Sequence, residues 1–114
     1  MPLMPSFGRT SRARLDTCHP DLVRLMEAAI EETDFSILCG HRTEAEQNAL
    51  SSAVTGKRWP NSRHNPTRSE AVDIAPYPIV WPDRETQTPE ECEAAFDRFR
   101  ALARVVVAAR AVVR

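Results

Sequence analysis

The sequence predicts an α+β domain in which a small antiparallel sheet packs against about three helices. Two capping-box signatures, Thr43-Glu44-Ala45-Glu46 and Thr88-Pro89-Glu90-Glu91, mark helix starts. Apolar residues recur at helical spacing after Pro20 and again from Cys92. Between these stretches lie two brief apolar runs, Phe35-Ser36-Ile37-Leu38 and Ala71-Val72-Asp73-Ile74-Ala75, of strand rather than helix length.

Taken in chain order, residues 1–14 mix Pro, Gly, Ser and Arg without periodicity and are expected to form a flexible arm, with the domain proper spanning 15–114. The first helix is expected from Pro20 to about Glu31. Pro20 suits a first turn, Asp21 suits the positive end of the helix dipole, and Leu22, Leu25, Met26, Ala29 and Ile30 make one apolar stripe. A short strand at Phe35 leads into Cys39-Gly40-His41-Arg42, and a helix capped by Thr43 and Glu46 should run to about Ser52. Residues 53–69, rich in Gly, Asn, Pro, Ser and basic side chains, read as a long loop, and long loops in small domains are often functional. After the second strand, Pro76, Pro78 and Pro82 forbid a helix, and Tyr77 and Trp81 are expected to anchor that stretch on the core. The last helix starts at Pro89, and Cys92, Ala95, Phe96, Phe99, Ala103, Val106 and Val113 keep its phase almost to Arg114.

With 114 residues, one compact domain fits, and its core must be small. The net charge of -1 gives no bulk basicity, so no nucleic-acid partner is expected. Cys18, Cys39 and Cys92 form no C-x-x-C pair and are odd in number, which argues for buried or half-buried thiols rather than a disulfide framework. No apolar signal-peptide core occurs near the N-terminus, and the longest apolar run, from Val105 to Ala109, is too short to span a bilayer. The chain is therefore expected to be made in the cytoplasm without membrane insertion and to need release if its target lies outside.

Residues able to do chemistry concentrate between Gly40 and Asp73. His64 and Asp73 are zinc-ligand types, and an acid between Val72 and Ile74 is costly to bury unless paired or metal-bound. Their spacing alone equally suits a solvent-facing Asp on an edge strand. Arg42, between a strand and a helix start, can hold a carboxylate or steady an oxyanion, or can simply be a surface arginine. His41 fits a ligand, an acid/base group or a polar residue at a strand end, and His19 fits a surface or capping position.

Together these pieces resemble a known family. The segment from Phe35 to Thr43 followed by Gln47 resembles a strand, G-x-R turn and Gln-bearing helix. Ser62-Arg63-His64 resembles an S-x-H motif, and Ala71-Val72-Asp73-Ile74-Ala75-Pro76-Tyr77 an A-x-D-x-A-P-Y motif. These are features of the zinc D-alanyl-D-alanine carboxypeptidases and L-alanyl-D-glutamate endopeptidases, especially their phage endolysin branch. The resemblance implies a zinc ion (Zn2+) on His64 and Asp73. It implies Arg42 as the electrophilic helper on the scissile carbonyl, Ser62 as a supporting or substrate contact, and Gln47 as a pocket residue beside Arg42. The implied chemistry is attack of metal-activated water on peptide bonds of peptidoglycan stem peptides, at the bacterial cell wall.

The chain departs from that pattern. The interval between His64 and Asp73 is longer than in the shortest members. Family members continue past the last helix into strands that bear a further histidine ligand and an acidic base, whereas this chain has no histidine after His64. The expectation is thus a C-terminally truncated domain with its last strands missing, holding two ligands and turning over poorly or not at all. Two other readings stand beside it: a non-catalytic wall- or metal-binding module on the same fold, and an α+β domain without metal.

Overall fold

The computed structural model describes residues 5–50 and 57–111. Among these the element order is α1 (Arg9–Leu15), α2 (Pro20–Ile30), β1 (Phe35–Cys39), α3 (Glu44–Leu50), β2 (Asp73–Pro76) and α4 (Pro89–Arg110). The α+β class is as expected, with β1 and β2 forming a two-stranded antiparallel sheet. No helix among the described residues is long and apolar enough to cross a membrane.

Local chemistry accounts for most boundaries. His19 caps α2, its Nδ1 accepting from the Asp21 amide at 3.1 Å. The box at α3 closes in both directions, Thr43 N donating to Glu46 Oε1 at 3.0 Å and Glu46 N to Thr43 Oγ1 at 3.3 Å. The box at α4 is likewise complete, at 2.9 and 3.1 Å. The expected end of α3 near Ser52 lies outside the described residues, as does Val113.

The core forms where α1, α2 and α4 meet the sheet: Leu15, Met26, Ala29, Ile30, Phe35, Ile37, Leu102 and Ala109 are all buried. Each such large apolar side chain, fully buried, contributes about 1.5–3 kcal/mol. Along α4 the buried positions are Cys92, Ala95, Leu102 and Ala109. Ala103, expected in the stripe, is exposed, because alternating steps of three and four from Cys92 lead through Phe99 to Leu102.

Two expectations are corrected. Residues 9–14 of the stretch read as a flexible arm belong to α1, and α1 is docked. Leu15 is fully buried, Phe7 meets Phe35 edge-on at 5.3 Å, and β1 receives two bonds from α1. Ser11 Oγ accepts from Ile37 N at 3.0 Å, and Arg14 donates to Ile37 O at 3.0 Å. These side chains satisfy backbone groups that β2 does not reach, which otherwise leave an open edge. The second correction concerns Tyr77 and Trp81, which are 59% and 56% exposed rather than anchored in the core. Trp81 instead stacks on Phe99 at the surface, 5.3 Å between ring centres.

Candidate metal centre

Strand pairing sets the floor of the site. Phe35 lies opposite Pro76, Ser36 opposite Ala75 and Ile37 opposite Ile74, after which the register slips and Cys39 lies opposite Asp73. Leu38 is the extra residue of a β-bulge. Strict alternation would have put Cys39 on the core face with Phe35 and Ile37. The bulge turns it instead to the face of Asp73, the kind of re-aiming for which bulges occur beside functional sites.

The third wall is a tight turn. Asn65 Oδ1 accepts from Ser62 N at 3.0 Å, Asn65 N donates to Ser62 O at 3.0 Å, and Ser62 Oγ accepts from His64 N at 3.2 Å. The turn is fastened to the end of β1 by the Arg42 amide, which donates to His64 O at 2.8 Å. His64 is buried, and its Nδ1 lies 2.7 Å from Gly40 O. A carbonyl only accepts, so Nδ1 carries a proton, and Nε2 is the ring nitrogen left to meet a ligand or a carboxylate. That Nε2 is 3.4 Å from Asp73 Oδ1.

Gly40 is required here by close approach. A Cβ at this position would fall far inside contact distance of Thr17 Oγ1 and the Arg14 carbonyl, at the end of α1. The helix absent from the sequence reading thus presses the Gly40 carbonyl into the place where it orients His64.

Behind the donors lies a buried polar frame. Arg42 donates to Gln47 Oε1 at 3.1 Å and to Asp73 Oδ2 at 3.1 Å. Gln47 is fully buried. Its Oε1 also accepts from Asn65 Nδ2 at 3.1 Å, and its Nε2 donates to Lys57 O at 2.8 Å. No buried side-chain nitrogen or oxygen among the described residues lacks a partner. Arg42 is therefore a buried residue and not a surface arginine.

All five residues singled out from the sequence, Arg42, Gln47, Ser62, His64 and Asp73, come together. Two more belong with them. Asn65 bridges the Ser62 turn to Gln47, and an Asn just after S-x-H is a local turn signal that could have pointed to it. Cys39 had no local signal, since the bulge that turns it is a tertiary feature. Cys39, His64 and Asp73 each offer a ligand atom, and these atoms lie within 4.8 Å of one another. His41 and His19 stand apart from this group, His41 with Nδ1 3.0 Å from Pro66 O and His19 as the α2 cap.

The donor set fits a divalent cation. Asp73 has one oxygen on Arg42 and one facing His64 Nε2, and a metal-binding histidine ordinarily has its second nitrogen tied as Nδ1 is here. The side chain of Asp73 is half exposed while those of Arg42 and His64 are almost covered, so the group opens to solvent on the Asp73 side.

A search of curated proteins finds no match to the chain. Against family models, the phage L-alanyl-D-glutamate peptidase model matches residues 3–109. That span takes in α1, the bulged strand, the Ser62 turn and both expected ligands. By this match, which covers most of its length, the chain belongs to the phage L-alanyl-D-glutamate peptidase family.

Proposed function

We propose that this chain is a zinc-dependent peptidase domain that hydrolyses peptide bonds in peptidoglycan stem peptides, with His64 and Asp73 holding the metal. The observation that carries this reading is the 3.4 Å approach of His64 Nε2 to Asp73 Oδ1, with Nδ1 already tied to Gly40. When bound, zinc supplies Lewis acidity toward the peptide carbonyl and an acidified water. The chain's own residues do the rest. Gly40 fixes the His64 ring, and Arg42 holds the second Asp73 oxygen. The same guanidinium places a fixed positive charge beside the centre, where it would stabilise charge developing on a substrate oxygen. Gln47 and Asn65 keep Arg42 and the Ser62 turn in register. Access runs over the half-exposed Asp73.

A second reading is favoured by one feature. Asp73 is the sole carboxylate in the ligand group among the described residues, and as a ligand it is not free to act as base. Loss of a general base costs about 10²–10⁴ in rate. A wall- or metal-binding module with little turnover would show the same centre.

Zinc titration by calorimetry, with His64→Ala as control, followed by mass spectrometry of fragments released from purified peptidoglycan, separates the readings. Zinc binding that His64→Ala abolishes, with new termini at the L-alanyl-D-glutamate or D-alanyl-D-alanine bond, is the expected result. Binding without fragments leaves the module. Absence of zinc binding by the folded chain overturns both.

A further inference from the structure

We propose that Cys39 is a third protein ligand, so that the metal is held by a thiolate, an imidazole and a carboxylate with one position left open. The proposal rests on the reading that His64 and Asp73 bind a metal, and it adds a donor from a different strand.

The bulge is the first support. In regular pairing Leu38 would lie opposite Asp73 and Cys39 would point to the core; with Leu38 bulged out, Cys39 and Asp73 are cross-strand partners on one face. Distance is the second. The three ligand atoms lie within 4.8 Å of one another, and a tetrahedral zinc with bonds of about 2.0–2.3 Å needs donors about 3–4 Å apart. Small side-chain rotations close that difference.

The third support is what the thiol now does. Cys39 Sγ donates to Gly40 O at 3.5 Å, the carbonyl that already takes the much shorter His64 bond at 2.7 Å. When a metal displaces the thiol proton to solvent, Gly40 O keeps its better partner and no buried group is orphaned. Thiolate and carboxylate together neutralise a divalent charge, and three protein ligands with an open fourth position are the usual arrangement of a catalytic rather than a structural zinc. A sulfur donor also sets the metal class. Zinc, cobalt(II) and cadmium are favoured, and magnesium, calcium and manganese are disfavoured.

The other two cysteines serve as internal controls. Cys18 is fully buried, with burial pushing its thiol pKa up, and Cys92 is buried in α4. Neither belongs to the ligand group among the described residues.

The test is cobalt(II) titration of the reduced full chain, read by absorption. The near-ultraviolet thiolate-to-cobalt charge-transfer band is expected in the parent chain and in Cys92→Ser, and is expected to vanish in Cys39→Ser and Cys39→Ala. Zinc affinity by calorimetry should fall by about tenfold or more in both Cys39 variants. A parallel measurement needs no substitution: zinc should slow alkylation of Cys39 in the parent chain, mapped by mass spectrometry. If cobalt binds in a His64-dependent way but gives no charge-transfer band, and zinc leaves Cys39 alkylation unchanged, the thiolate ligand is overturned while the His64–Asp73 site stands. If the folded parent chain binds neither zinc nor cobalt, both readings fall.

Discussion

Two polar clusters share a wall in this protein and differ in what they lack. Arg42, Gln47 and Asn65 match donors to acceptors: guanidinium to amide oxygen, amide nitrogen to the same oxygen, amide nitrogen to the Lys57 carbonyl. Cys39, His64 and Asp73 instead turn sulfur, an imidazole nitrogen and a carboxylate oxygen toward one another. The first cluster is complete as protein. The second brings three possible metal ligands together, and on the proposed reading a cation completes it. Satisfied polar groups make a frame, whereas converging acceptors make a binding site.

That contrast can be broken by substitution. The largest effect is expected from Gln47→Ala, which opens a cavity and strips partners from buried Arg42 and Asn65. It should cost about 3 kcal/mol in denaturant unfolding of the metal-free chain. Zinc affinity should fall with it, by about 10–100-fold, because the frame positions Asp73. His64→Ala is the counterpart: it should remove metal binding while shifting the metal-free unfolding midpoint far less than Gln47→Ala. Equal stability losses for the two variants would erase the distinction between frame and site.

Gly40→Ala comes next, at about 2 kcal/mol from overpacking against Thr17 and the Arg14 carbonyl. Thr17→Ala should not rescue it, since the backbone carbonyl remains in the way. A melt of the double variant at parental temperature would show that α1 does not press on the site.

Thr88→Ala should have the smallest effect, about 1 kcal/mol through loss of the α4 cap, with no change in zinc affinity. Its pH signature sharpens the test. Hydrogen bonds from Thr88 hold the Glu91 carboxyl below its ordinary value of 4.5, as those from Thr43 do for Glu46. A carboxyl lowered in the folded state stabilises it above the unfolded value, and that contribution is lost as pH falls through the folded one. The backbone amide at position 88, the larger of the two causes, survives Thr88→Ala, so thermal melts below about pH 4.5 should decline in both chains and only slightly more steeply in the parent.

What could be seen in the sequence was what neighbours in the chain decide. Thr43 with Glu46, Thr88 with Glu91, and Pro20 after His19 mark helix starts through contacts a few residues apart. His64, Asp73, Arg42, Gln47 and Ser62 were visible through motif resemblance, and the structure gathers them, though their separation in sequence carried little weight by itself. α1 was missed because Leu15 is its sole buried residue, so seven residues showed no period. Phase along α4 was misjudged at Ala103 because the buried stripe alternates steps of three and four. The exposure of Tyr77 and Trp81 was missed because aromatic character alone does not say which side of a Pro-rich loop meets the core. Cys39 had no local signal: regular alternation from Phe35 and Ile37 points it to the core, and one unpaired residue reverses that.

The surplus residue in β1 also uncouples the two ends of a short strand. Phe35 and Ile37 answer to hydrophobic packing, whereas past the bulge position 39 lies opposite Asp73, outside the core. On the proposed metal reading, side-chain chemistry at that position can therefore be exchanged, sulfur for oxygen or nitrogen, without repacking the interior two residues away.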